Sequence, residues 1–179
     1  MGAPRETQRA RVFWKGVVIF LTVGHQSPFD RLVRAIDEWA SQQPELELFG
    51  QIGDGLYEPK AFPFKRWLSA DCYDEILCSS ASVVSHAGTG TIVQVLMKRK
   101  PLLVLPRSAA LNETRNDHQV GTARYFSEKQ LVLSIDSEAE LASAIPHLES
   151  WRPAAAIAEH ASAELVARIS TFLNGTSIE

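Results

Sequence analysis

The stretch SVVSHAGTGTIVQVL, residues 82–96, decides the fold. Its first part, SVVSH (82–86), reads as a buried strand, and TIVQVLMK (91–98) reads as the helix that follows. Between them Gly88 and Gly90 clear side chains from the backbone. The chain can then turn sharply and present the first amide N–H groups of the helix to an anion such as a diphosphate. The pattern is not the G-x-G-x-x-G dinucleotide fingerprint, because Val93 stands where the third glycine belongs. Nor is it a Walker A loop, since no Lys-Ser/Thr pair follows. Glycines at such a turn also serve structural ends, and the residues alone leave both uses open.

The same alternation continues in both directions. VVIFLTV (17–23) reads as a buried strand ending at Gly24, and FDRLVRAIDEWA (29–40) places Phe29, Leu32, Val33, Ile36 and Trp39 on one helical face. LELFGQI (46–52) is a second strand, followed by a Gly/Pro-rich loop, GDGLYEPKAFPF (53–64), and a helix over 70–79 with Ser69 as N-cap. After the central stretch come the strand PLLVLP (101–106), the polar loop RSAALNETRN (107–116), a helix opening near Asp117, the strand LVLSI (131–135), and helices over 137–148 and 153–173. Right-handed crossovers make such a chain a Rossmann-like α/β domain, a parallel sheet with helices on both faces. We expect one domain over 16–179, preceded by a disordered or weakly ordered tail over 1–15. That tail carries Arg5, Arg9 and Arg11 against Glu6, and reads as solvated or leaning weakly on an anionic membrane surface.

With 179 residues, 45% of them hydrophobic, the chain suffices for one sizeable core. A formal charge of -3 argues against nucleic acid as the main partner, because phosphate-backbone binders carry a net basic face. Cys72 and Cys78 suggest neither a disulfide framework nor a zinc site, and are expected as buried or half-buried free thiols in a reducing cytosol. The apolar run VFWKGVVIFLTV is interrupted by Lys15 and Gly16 and falls short of the roughly 20 residues that span a bilayer, so a cytoplasmic location is expected.

In parallel sheets, ligands bind beyond the carboxyl ends of the strands. Three unusually polar or glycine-rich segments reach that edge: TVGHQSPFD (22–30), VSHAGTGT (84–91) and VLPRSAALNETRNDHQ (104–119). His86 can donate to a phosphate oxygen or be satisfied by backbone groups. Gln94, among apolar neighbours, needs a partner such as a ribose hydroxyl or another side chain. Asp117 can cap a helix or, with His118 and Gln119, grip a sugar. Arg107 and Arg115 are candidate anion contacts, and beside Thr22, Gly24 and Gln26, His25 is a candidate general base or substrate contact. None of the four tryptophans reads as a site residue.

Taken in order, TVGHQSPFDRLVRAIDE, QIG, YEPK, ASVVSHAGTGTIVQVLMKRKPLLVLPR and NDHQ resemble the C-terminal domain of glycosyltransferase family 28, in its small stand-alone form. The resemblance covers roughly residues 17–130. It implies the donor-binding half of a GT-B enzyme, with Ser85, His86, Gly88, Thr89, Gly90 and Thr91 cradling the diphosphate of a UDP-sugar. It places His118 and Gln119 against the donor sugar. The family usually has a glutamate on the donor ribose where this chain has Gln94, and an amide accepts through only one of its two polar atoms.

The implied chemistry is an inverting transfer that needs no metal or cofactor, in which backbone N–H groups and His86 stabilise the leaving diphosphate. The base is His25 or a residue of another chain. A separate membrane-attached subunit would bring a polyisoprenyl-diphosphate-linked saccharide acceptor, as in bacterial exopolysaccharide or lipid-linked oligosaccharide synthesis, holding this chain at the inner face of the membrane. The terminal helix, with Ile157, Leu165, Val166, Ile169, Phe172 and Leu173, can pack on its own sheet or reach across to that partner. A non-catalytic nucleotide-sugar-binding subunit and a nucleotide-sugar epimerase are the alternatives. The donor sugar is open among glucuronate, glucose, galactose and N-acetylglucosamine, Arg107 or Arg115 favouring a carboxylate.

Overall fold

Alternating inward and outward apolar residues require a sheet that is covered on both faces, and that is what the chain builds. The structure, a computed structural model, describes residues 19–155 together with Ala167 and Ser170. The strands are β1 (Ile19–Thr22), β2 (Leu48–Gln51), β3 (Phe64–Lys65), β4 (Ser82–His86), β5 (Leu102–Leu105) and β6 (Leu133–Ser134). The helices are α1 (Asp30–Ala40), α2 (Ala70–Ser79), α3 (Thr89–Met97), α4 (His118–Glu128) and the short α5 (Leu141–Ala144). All strand pairs are parallel, in the order β3-β2-β1-β4-β5-β6.

The pleat sorts the strand residues into two cores. Ile19, Leu21, Leu48, Val84 and Leu103 pack with Leu32, Val33 and Ile36 of α1 and with Leu141 and Ile145. Phe20, Phe49, Val83, Leu102 and Val104 pack on the other face with Ile76, Ile92, Val95, Leu96 and Ala123 from α2, α3 and α4. Helices on both faces were expected, and both layers are present.

The differences from the sequence reading are local. β3 falls in and just after the stretch read as loop, because two residues between Pro63 and Arg66 are too short to show a period. Its ladder is nonetheless real, with Gly50 N donating to Pro63 O at 3.1 Å and Ile52 N to Lys65 O at 3.0 Å. Asp37, buried on α1, fastens the 53–64 loop that leads into β3 by accepting from Tyr57 Oη (2.6 Å), Lys60 N (2.8 Å) and Ala61 N (2.7 Å). Hydrogen bonding to the Asp37 carboxylate, and secondarily desolvation, raise the Tyr57 pKa.

Ser69 caps α2 as expected, accepting from Cys72 N at 3.3 Å. The helix expected over 137–148 is instead a 3-10 turn (Glu138–Glu140), α5, and a second 3-10 turn (Ile145–Glu149). Pro146 lacks the N–H that an α-helix would need there. Ser137 and Glu140 close a capping box at its start. Cys72 is half-buried as expected, but Cys78 is exposed, which corrects the expectation for that thiol. The tail over 1–15 and nearly all of the helix expected over 153–173 lie outside the described residues.

Candidate functional site

β1 and β4 are sequence-distant neighbours, and the strand order reverses between them. Beyond their carboxyl ends the loops diverge and leave a crevice. A cavity of about 700 Å³ opens there, a size that suits a nucleotide-sized ligand. The loop after β1 supplies Gly24, His25 and Gln26, the end of β4 supplies His86, and the turn into α3 and its first residues supply Gly88, Thr89, Gly90 and Thr91. Arg107, His118 and Gln119 close a third side, and Gln94 lies on the wall formed by α3.

His86 explains two of the glycines. Gly24 has φ +75°, a left-handed conformation that an L side chain resists, and a Cβ there would sit 2.5 Å from His86 Cε1. A Cβ on Gly88 would sit 2.2 Å from His86 Nε2. The imidazole therefore lies in a slot whose two walls are bare backbone. Gly90 is different, because a Cβ there meets nothing within 4 Å. The start of α3 is thus open to solvent and ligand. Its N-cap, Gly88, makes no side-chain cap and no acidic residue stands in the first turn, so its N-terminal amides are available to an anion.

Burial lowers the His86 pKa from 6.5 to about 3, with the Arg107 charge adding to the shift, the Thr22 carbonyl opposing it and His25 contributing least. The ring is therefore neutral at physiological pH and can offer a hydrogen bond but no charge. Its Nδ1 is buried and has no hydrogen-bond partner among the described residues.

Buried polar groups hold this geometry from beneath. Thr22 Oγ1 donates to Gln51 Oε1 at 2.6 Å and accepts from Gly24 N at 3.3 Å. Gln51 Nε2 donates to the carbonyls of Gly24 and Arg66, each at 3.2 Å. Arg107, 3% exposed, spends its guanidinium on Val23 O (2.7 Å), Ser27 O (2.5 Å) and Pro28 O (3.4 Å), with its plane 5.0 Å over the Phe29 ring. It clamps the loop that carries His25. Desolvation lowers its pKa to about 10, which leaves it charged at neutral pH. Gln119, also buried, accepts from Arg107 N at 3.2 Å.

The other sequence candidates fall as follows. Ser85 is fully buried, donates to His86 O at 2.7 Å, and lies behind the cavity wall. Gln94 is exposed at the cavity, so solvent satisfies it and no protein partner is required, contrary to the sequence expectation. Asp117 takes the N-cap position of α4 but makes no capping bond, its carboxylate accepting instead from Ala109 N at 2.8 Å. His118 is exposed, lines the cavity, and pairs through Nδ1 with Asn116 Oδ1. Arg115 does not reach this cavity and lines a second one.

Sequence reasoning missed part of the site. Trp67 stacks on His25, with centroids 5.5 Å apart and planes at 26°, and its Nε1 donates to Asp54 Oδ1 at 2.9 Å. As expected, no tryptophan among the described residues lines the cavity, and Trp67 touches it only through His25. Tyr73, Asp74 and Lys98 also line the cavity, the last two joined by a 2.8 Å salt bridge. Burial raises the Tyr73 pKa, with the Thr22 and Thr91 hydroxyls opposing. Among the described residues no group of three or more His, Cys, Asp or Glu side chains is placed to hold a metal ion.

A family model described as the glycosyltransferase family 28 C-terminal domain matches residues 18–170. The human UDP-N-acetylglucosamine transferase subunit ALG13 is 31% identical over 123 residues, which is 62% of this chain and 10% of that protein. This chain therefore spans about a tenth of the curated relative it matches. Among solved structures, the glycotransferase of kitacinnamycin superposes with TM-score 0.59 at 19% identity, over 84% of this chain and 39% of that one. The NMR structure of ALG13 superposes with TM-score 0.57 at 20% identity, over 87% of this chain and 95% of that one. At these identities the structural likeness speaks to the fold alone, a Rossmann-like parallel sheet shared with glycosyltransferases. With the match extending over most of its length, the chain belongs to glycosyltransferase family 28, through that family's C-terminal domain.

Proposed function

We propose that this chain is the donor-binding, catalytic subunit of an inverting glycosyltransferase. It moves a hexosyl or hexuronosyl group from a UDP-sugar to a polyisoprenyl-diphosphate-linked saccharide, in exopolysaccharide or related glycan synthesis. The observation that carries this reading is the uncapped start of α3, opening on a switch-point cavity beside a buried neutral histidine. Amides and an imidazole N–H gathered there suit a leaving diphosphate without a metal.

In the reaction, an acceptor oxygen forms a bond to the anomeric carbon as the bond from that carbon to the diphosphate oxygen breaks. UDP leaves with the electron pair of the broken bond. The amides of Thr89, Gly90 and Thr91, with neutral His86, receive the growing negative charge. The acceptor proton passes to His25, which Trp67 holds at the cavity edge. His118 and Gln119 face the transferred sugar, and Gln94 lies toward the ribose. A membrane-attached subunit supplies the acceptor and brings this chain to the cytoplasmic face of the membrane. No helix among the described residues is long and apolar enough to cross a membrane.

A second reading, a binding subunit whose partner does the chemistry, is favoured by Gln94 in place of a carboxylate. The deciding experiment co-expresses the chain with its candidate membrane partner, supplies UDP-sugars and a polyisoprenyl-diphosphate acceptor, and measures UDP release for wild type and His86→Ala. Partner-dependent release that collapses in the variant is expected. UDP binding with no release from any donor would replace the first reading by the second.

A further inference from the structure

A second cavity, of about 710 Å³, lies between the loop after β1 and the 107–117 loop. It adjoins the first, because Gln26 and His118 line both. Apart from Pro28, every residue lining it has a side chain that can hydrogen-bond, including Ser27, Asn112, Thr114, Arg115 and Asn116. Such a wall suits a polyhydroxylated ligand rather than an apolar one.

Both loops are fastened before any ligand arrives. Arg107 holds one from below through the Val23, Ser27 and Pro28 carbonyls. Arg31 of α1 holds the other, with a two-pronged contact to Glu113 at 2.7 and 2.8 Å and a bond to Pro106 O at 3.1 Å. Glu113 also accepts from Ser108 N at 2.9 Å, so the carboxylate of the cavity wall is committed to its floor. Arg115, by contrast, is exposed and has no ion-pair partner among the described residues. The charge left over in this cavity is therefore positive, and its planar fork matches a carboxylate or a phosphate.

We propose that the second cavity is the acceptor subsite and binds a hexose unit bearing an anionic substituent, carboxylate or phosphate, which pairs with Arg115. Its hydroxyl meets the donor at the rim shared by Gln26 and His118. The proposal rests on the first cavity holding a UDP-sugar.

The test titrates the full chain, saturated with UDP, with methyl glucuronide, glucose 6-phosphate and methyl glucoside, followed by saturation-transfer NMR. At least one anionic sugar should bind about fivefold more tightly than the glucoside, the upper range for an exposed ion pair. Arg115→Gln should bring that sugar to the glucoside's level and leave UDP affinity unchanged. Whether the glucuronide or the phosphate loses more identifies the anion. Equal binding of charged and neutral sugars, or indifference to Arg115→Gln, overturns the subsite. So does displacement of the bound sugar by UDP-glucose but not by UDP, which would give the cavity to the donor. If UDP itself fails to bind, the donor site and this subsite fall together. UDP binding without any sugar binding overturns the subsite alone.

Discussion

Replacing Gly24 by alanine should destabilise the protein for two separable reasons. At φ +75° an L-residue is disfavoured by about 1–2 kcal/mol. The new Cβ, 2.5 Å from His86 Cε1, also pushes the ring from its slot, an overpacking cost of about 1–3 kcal/mol. Gly88→Ala has only the second cost, because its φ is -81° and the contact is with His86 Nε2 at 2.2 Å. The two effects are told apart by repeating both changes in a His86→Ala background. There Gly88→Ala should become nearly neutral, while Gly24→Ala should retain about 1–2 kcal/mol from the backbone alone. Urea unfolding at neutral pH, read as midpoint and slope, supplies all six free energies. If either glycine substitution costs the same with and without the imidazole, the slot explanation is wrong.

Other expectations follow from the same contacts. The folded His86 pKa of about 3 lies below its unfolded value of 6.5, so the unfolded chain binds the extra proton between those values. Stability is then complete above about pH 6.5 and falls toward pH 3, with about 2 kcal/mol lost between pH 7 and pH 5. A His86→Gln variant whose urea midpoint falls as much over that range would refute this. Asp37→Ala strands Tyr57 Oη, Lys60 N and Ala61 N, and should cost about 2–3 kcal/mol and speed proteolysis within 53–64. Unchanged cleavage there would count against the fastening role. Arg107→Lys loses the fork onto the Val23, Ser27 and Pro28 carbonyls, and hydrogen exchange at 24–27 should quicken about tenfold. Exchange at the wild-type rate would mean that the clamp is dispensable.

All strands but β3, the parallel sheet and the glycine turn were legible because they rest on apolar period and local steric rules. PLLVLP is a continuous apolar run and SVVSH holds a β-branched Val-Val pair, and both form central strands. The buried polar fastenings were not legible, because a period of apolar residues says nothing about which polar residue goes inside. Gln51, Asp37 and Arg107 all satisfy backbone groups far away in sequence. The sequence offered Arg107 as an anion contact, and gave no sign that it also binds the Val23, Ser27 and Pro28 carbonyls. Gln94 carried a signal that was misread. Ile92, Val95 and Leu96 mark the inner face of α3, and Gln94 is off that face despite its apolar neighbours. Trp67 reaches His25 only because a two-residue strand aligns the 53–67 segment with β2, and no local pattern announces that pairing.

The β1–β4 pairing, Ile19 to Ser82 through Thr22 to Ser85, has a consequence for how the protein matures. These strands are far apart in the chain, and the cavity walls come from loops after β1, β4 and β5. No local fragment can assemble them, so the site reports completed folding rather than an early nucleus. On the proposed function, a nucleotide bound there would favour the finished state alone, by about 2.7 kcal/mol at a hundredfold excess over its dissociation constant. Where the β1–β4 seam closes after the folding barrier, that gain slows unfolding and leaves the folding rate unchanged. Nucleotide supply would then set how long each molecule survives rather than how quickly it is made.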